Sequence, residues 1–331
     1  MQNGRGRGWG DPKTTDARRT VLVTGAAGFV GSHLVDALLR QRVRVLGFDD
    51  LSTGTMDNLV NAVDHEAFTF IEGDIRDSKA VGAVCDACDI VVHLAAVTKV
   101  AESLREPEKY MEINVTGTQN VLDGAIQAEV RRVVFASSAA VYGAPETVPT
   151  PEEAATHPLS PYGASKLQAE LLCQRAAHDH GIDVPQLRIF NIFGPRQPMD
   201  NEAGVISIFI DRARQGLPLM IFGDGYQTRD FIYIRDAIEA ILRAATLETL
   251  PSKPINVGTG IPVSVRELAE VVQELIPSCS AEILFEPPRP GDIYHSVAQI
   301  TCMQQLLQFT PTYSLFDGLR DYCMPEFGSK E

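Results

Sequence analysis

From Thr20 onward the chain alternates short apolar runs rich in β-branched residues with longer stretches of helical periodicity, and this alternation constrains the fold more than any other feature. The runs are TVLVTG, VRVLGFDD, FTFIEGD, DIVVHLAA and RRVVFASS. Continuous apolar strands separated by amphipathic helices build βαβ units around a parallel sheet buried on both faces. The expected class is α/β, a Rossmann-type doubly wound parallel sheet. In VGSHLVDALL, residues Val30, Leu34, Leu38 and Leu39 fall on one stripe suited to packing on that sheet. The stretch from about Tyr110 to Ala128 reads as a further helix. Beyond residue 190 the pattern breaks into GPRQP, GDGYQTRD, PINVGTGIPVS and FEPPRPGD, pieces punctuated by Pro and Gly that describe a smaller, irregular C-terminal lobe. Three parts are expected: a polar, Gly-rich, disordered extension over 1–19, a cofactor-binding domain over 20–190, and a substrate lobe mainly over 191–331 whose elements interleave with the first domain.

VLVTGAAGFVGSHL places Gly25, Gly28 and Gly31 between the first strand and the first helix. Glycines at such a turn let backbone N–H groups approach a pyrophosphate, and the helix N-terminus at Phe29 and Val30 favours its negative charge. The spacing is G-x-x-G-x-x-G, a variant of the dinucleotide fingerprint set in the context that gives it meaning. Asp49 closes the second strand, where an acidic side chain meets ribose hydroxyls. With Asp50 beside it and no adjacent Arg, a 2′-phosphate is disfavoured, so the expected cofactor is NAD. Asp74, followed by Ile75, ends the third strand and either frames the adenine pocket or caps the next helix.

Composition narrows the partners. A formal net charge of −14 and the absence of a basic stripe argue against nucleic acid and anionic membranes. No apolar run approaches the ~18–20 residues of a membrane span, and the first twenty residues lack a signal-peptide core. The six cysteines are scattered, which suits a reducing, cytoplasmic setting. CDAC at 85–88 spells C-x-x-C, but no second pair completes a zinc site and its acidic flanks disfavour a thiolate. No metal is expected.

SPYGASKLQAEL sets Tyr162 four residues before Lys166 at the mouth of a helix, so phenol and ammonium can approach a common point. The spacing alone is weak. With TGAAGFVGSHL, HLAA (Leu94, Ala95, Ala96), EINVTGTQNVL, FASSAAVYG, PYGASK, LRIFNIFGPRQ, GDGYQTRDFIYI, NVGTG and PRPGD in this order, it carries more. Over residues 20–320 the chain resembles the extended short-chain dehydrogenase/reductase family, and within it the NAD-dependent nucleotide-sugar epimerases of the UDP-glucose 4-epimerase type.

The resemblance implies tightly bound NAD and a reversible oxidation at C4 of a UDP-sugar. Tyr162 is then the proton-transferring base, Ser138 its hydrogen-bonding partner on the substrate oxygen, and Lys166, together with the positive nicotinamide ring, the charge that brings the phenol into range. An ordinary phenol is only about 0.1% ionised at pH 7, so its pKa must fall by about 3 units, on the order of 4 kcal/mol. The resemblance also assigns Asn114 to support Lys166, Arg229 and Arg289 to the diphosphate, Asn191 to a further hydrogen bond, and Asp292 to the uridine ribose. Lys99 and Arg196 are explained equally well as solvated charges.

Sister enzymes that dehydrate or decarboxylate need an acid or base in the segment after Ser138. Here Ala139 and Ala140 stand there, which favours simple epimerisation. Ser296 aligns with a position where hexose-restricted epimerases carry Tyr, leaving room for a 2-acetamido group. UDP-glucose/galactose comes first, UDP-N-acetylhexosamine close behind; Pro198 after GPRQ weakens UDP-glucuronate. The other class to weigh is a non-enzymatic NAD-binding sensor, which the Ser138–Tyr162–Lys166 set opposes. A homodimer through helices near 105–128 and 162–178 is implied as well.

Overall fold

The computed structural model describes residues 19–199, 204–276, 281–289 and 291–323. The extension expected over 1–19 lies, apart from Arg19, outside the described residues. In the first half, β1 (Thr20–Thr24), α1 (Phe29–Arg40), β2 (Arg44–Asp49), β3 (Phe68–Glu72), α2 (Ser78–Cys85) and β4 (Ile90–His93) are followed by two short helices, α3 (Val100–Arg105) and α4 (Pro107–Met111). A π-helical turn (Glu112–Thr116) leads into α5 (Gly117–Gln127), and β5 (Arg132–Ser138), α6 (Pro161–His180) and β6 (Gln186–Ile189) complete the half. All five apolar runs of the sequence are strands. The second half contains β7 (Asn191–Phe193), α7 (Val205–Arg214), β8 (Leu219–Phe222), β9 (Thr228–Arg229), β10 (Phe231–Tyr233), α8 (Ile234–Thr246) and β11 (Pro254–Val257). It ends with β12 (Val263–Ser264), α9 (Val265–Leu275), β13 (Ile283–Glu286), β14 (His295–Ser296), α10 (Thr301–Leu306) and α11 (Leu315–Cys323).

Seven strands form one parallel sheet in the order β11-β6-β5-β4-β1-β2-β3. The order reverses beside β1, so the crevice between the carboxyl ends of β1 and β4 is the topological switch point where such sheets bind ligands. The sheet strands are apolar throughout because helices cover both faces: Val21, Val23, Leu34 and Leu38 belong to one buried cluster, Leu22, Val91, Val121 and Ala169 to another. On α1, Leu34, Leu38 and Leu39 are buried and Val30 packs partly against the same core.

Two features set how the halves join and how one helix runs. Strand β11 rejoins the main sheet from beyond residue 190, and α8 packs on α1, so a cut at residue 190 does not separate two bodies. The helix expected from Tyr110 to Ala128 is interrupted at Asn114 by the π-helical turn, a wide turn that recurs at functional sites.

Candidate active site

The glycine-rich turn is built by backbone contact. Gly25, at φ +72°, donates its N–H to the Phe48 carbonyl at 2.8 Å, and a Cβ there would lie 2.8 Å from the Ala95 backbone nitrogen. A Cβ on Gly31 would stand 1.9 Å from the Gly25 carbonyl oxygen, so α1 can approach the turn only without a side chain. No side chain caps α1 at Gly28, which leaves the first-turn N–H groups of Phe29, Val30 and Gly31 for an anion. Asp49 braces this turn: its Oδ2 accepts from Ala27 N–H at 2.9 Å and its Oδ1 from Leu51 N–H at 2.8 Å. Burial pushes its carboxyl up, against those two bonds. With Leu94, Ala95 and Ala96 forming the opposite wall after β4, the chain offers a cradle that fits a dinucleotide diphosphate, with Asp49 at the strand end where the ribose falls.

Asp74 is less committed to that pocket. It accepts three bonds from the Arg76 guanidinium, the shortest 2.6 Å, and Arg76 also reaches Glu112. The cap of α2 is Asp77, not Asp74, since its Oδ1 accepts from Lys79 and Ala80 N–H. Ile75 is buried beneath Gly117.

The catalytic candidates converge at the ends of β5 and α6. Ser160 caps α6 by accepting from Gly163 N–H at 3.1 Å, and Pro161 opens its first turn, which sets Tyr162 at the helix mouth and Lys166 one turn below. The Ser138 hydroxyl accepts from Ala140 N–H at 3.1 Å and lies close enough to the Tyr162 phenol to lower its pKa. Tyr162 packs edge-on against Tyr110, with ring centroids 6.3 Å apart. The Lys166 ammonium, 4% exposed, donates to the Ala136 carbonyl at 2.9 Å and lies 5.1 Å from the Phe135 ring centre.

The chain's own electrostatics oppose ionisation of the phenol. Within the chain, burial raises the Tyr162 pKa and the Ser138 hydroxyl acts to lower it. Burial also brings Lys166 down to about 8, and its ammonium donates to Ala136. Within the chain alone the phenol is a poised acid, not an anion.

Asn114 sits close behind this helix mouth. Its side chain does not bond Lys166; Nδ2 donates to the Val97 carbonyl (3.0 Å) and Ser165 Oγ (2.9 Å), and Oδ1 accepts from Val97 N–H (2.9 Å). It holds the residue beside Lys166 and the loop after β4, so any support is indirect.

The second lobe supplies a basic rim. Ser138 lies opposite Ile189 in the β5–β6 register, and Asn191 begins β7 two residues later. Asn191 donates from Nδ2 to the Asp230 carbonyl at 3.1 Å, next to Arg229. Arg229 Nη2 meets Asp292 Oδ1 at 2.7 Å, and Ser296 pairs with Arg229 between β14 and β9. Arg289 stacks on Phe222 with its guanidinium carbon 3.9 Å from the ring centre, and the Asp292 N–H closes the turn onto the Arg289 carbonyl. Asp292, expected at a ribose, is the counter-ion of Arg229 here: a guanidinium only 16% exposed has lost most of its water and needs a compensating charge. Arg196 is paired with Asp36 at 2.7 Å and ties α1 to the loop after β7.

Sequence reasoning missed the groups behind the site. Glu170, one turn past Lys166, is sealed from solvent and bound bidentately by Arg188 at 2.9 and 2.8 Å, with Ser137 donating to the same carboxylate at 2.5 Å. The i+4 spacing from Lys166 was the available signal; the partner on β6 was not visible. The C-x-x-C pair is inert as expected: burial pushes Cys85 up to about 12 and Cys88 further.

A parallel sheet with a glycine-lined diphosphate cradle at its switch point, and a Ser–Tyr–Lys set beside it, defines a dinucleotide-dependent enzyme of the short-chain dehydrogenase type. The chain belongs to the NAD dependent epimerase/dehydratase family, whose pattern it matches over residues 21–258. It is 37% identical over 300 residues to the UDP-glucose 4-epimerase of Mycolicibacterium smegmatis, spanning 90% of this chain and 95% of that one. The UDP-N-acetylglucosamine 4-epimerase of Methanobrevibacter ruminantium, solved with UDP-N-acetylmuramic acid, superposes with a TM-score of 0.87 at 35% identity, covering 92% of this chain and 97% of that one. The UDP-glucose 4-epimerase of Thermus thermophilus, solved with NAD, gives 0.84 at 34% identity over 94% and 100%.

Proposed function

We infer that the protein is an NAD-dependent UDP-hexose 4-epimerase that interconverts UDP-glucose and UDP-galactose through a 4-keto sugar, with UDP-N-acetylhexosamine as the nearest alternative substrate. The observation that carries this is the Ser138–Tyr162 pair above Lys166, followed by Ala139 and Ala140, which have no proton to give. NAD, when bound, supplies the reversible oxidation of C4. Tyr162 takes the proton of the sugar 4-hydroxyl and later returns it. Ser138 holds the same oxygen and keeps it in line with the phenol. Lys166 and the cationic cofactor ring offset the burial that raises the phenol. Arg229 and Arg289 hold the diphosphate, Arg229 exchanging its Asp292 contact for phosphate oxygens, which suits a planar fork donor. Ser296, beside Arg229 and without bulk, leaves space at the sugar 2-position.

A homodimer fits the surface: Leu104 on α3 and Leu171 on α6 are 64% and 56% exposed on neighbouring helices, a face suited to a second copy. The described cysteines are free, which suits a reducing compartment such as the cytoplasm. Among the described residues no helix is long and apolar enough to cross a membrane.

Incubation of the purified protein with UDP-glucose, UDP-N-acetylglucosamine and UDP-glucuronate separately, with products resolved by NMR, tests the assignment. Inversion at C4 of UDP-glucose is expected, and Tyr162→Phe lowers kcat by about 10²- to 10⁴-fold. Loss of water or of C6, or a fully active Tyr162→Phe, overturns it.

A further inference from the structure

A buried chain of hydrogen bonds joins the cofactor turn to the catalytic helix, and its direction is fixed at every link. Ser165 Oγ donates to the Tyr162 carbonyl at 2.8 Å and accepts from Asn114 Nδ2 at 2.9 Å. The Asn114 main-chain carbonyl accepts from Thr118 Oγ1 at 2.6 Å. A hydroxyl has one proton, so at its 3.0 Å contact with His93 Nε2 the Thr118 oxygen must accept. His93 therefore carries its proton on Nε2, and Nδ1 accepts from Thr24 Oγ1 at 2.7 Å. The lone pairs of Thr24 Oγ1 in turn take the N–H groups of Leu94 and Ala95, the wall against which Gly25 packs.

His93 is 1% exposed, and burial, reinforced by the charge of Lys166, pushes it down to about 3, so the ring stays neutral at every working pH. A neutral imidazole is the one side chain that presents an acceptor and a donor at opposite ends of a rigid ring. Here the two ends span β1 at Thr24 and the first turn of α5 at Thr118, just after the π-helical turn.

We propose that His93 is a positioning residue for the reaction, locked as the Nε2–H tautomer, which fixes the distance between the cofactor turn at Thr24–Gly25 and the helix mouth that carries Tyr162. The proposal rests on the role given above to Tyr162, and its spectroscopic arm does not depend on turnover. A ring lost from the chain lets Thr118 and Asn114 relax and the phenol drift from the sugar carbinol, which lowers kcat and leaves the diphosphate contacts that set KM.

In NAD-loaded protein labelled with ¹⁵N-histidine, the His93 ring, assigned by its loss in His93→Gln, should show Nε2–H and no titration from pH 8 to 5. His93→Phe should lower kcat by about 10- to 100-fold with KM for the UDP-sugar within about threefold. His93→Gln, which keeps a donor near Thr118, should recover part of that loss, and Thr118→Val should resemble His93→Phe. An Nδ1–H ring, a ring titrating near the ordinary histidine range, or a folded His93→Phe with parental kcat overturns the proposal. Should His93→Phe fail to fold, the tautomer in the parent protein and Thr118→Val decide it.

Discussion

Lys166 shows how one buried residue couples stability to function. Its pKa falls from 10.5 in the open chain to about 8 because burial disfavours the charge. Between those values the unfolded chain binds more protons than the folded one, so stability rises with pH through this window, and the penalty is fully present below about pH 8. The fold carries a burden at neutral pH for the sake of a cation beside the phenol. Lys166→Met should therefore abolish turnover yet melt higher than the parent at pH 7, by up to about 3 kcal/mol, with the difference shrinking as pH rises to 10. Thermal unfolding of both proteins across that range measures it; a Lys166→Met that is less stable at pH 7 by the same margin as at pH 10 contradicts the burial argument. Tyr162 and Lys166 became readable once their spacing was joined to the family resemblance, but the effect of burial on the phenol was not, because desolvation depends on what covers the ring.

At the scale of elements, the turn between β1 and α1 is specified by glycine in a way the sequence states outright. Gly31 has no room for a methyl group, the nearest atom being the Gly25 carbonyl oxygen. Gly31→Ala should displace the α1 N-terminus from the cradle and reduce the NAD retained on purification by at least about tenfold, read by release of the nucleotide on denaturation. Retention at the parental level would place the diphosphate elsewhere. The α6 mouth was equally legible: Ser160 and Pro161 announce a helix start. The break at Asn114 was not, because the π-helical turn follows from Asn114 reaching Val97 and Ser165, residues 17 and 51 positions away.

For the molecule as a whole, the second copy is the open structural expectation. Leu171 projects from the outer face of the catalytic helix, so Leu171→Glu should shift sedimentation or light scattering from dimer to monomer without unfolding the protein, since an exposed position tolerates charge. A parental species that is already monomeric rejects the interface. The sequence by itself determined the strand–helix alternation, the parallel sheet and the glycine cradle, because each depends on local periodicity or short spacing, whereas the Ser138–Tyr162–Lys166 set was reached through the family resemblance. Only the tertiary structure decided that β11 closes the sheet from the far lobe, that Arg188 answers Glu170, that Asp292 answers Arg229, and that His93 bridges cofactor turn and catalytic helix. Those partners lie on separate elements, and a buried charge or ring finds its partner through the folded core, where leaving it unpaired costs more than any local preference can offset.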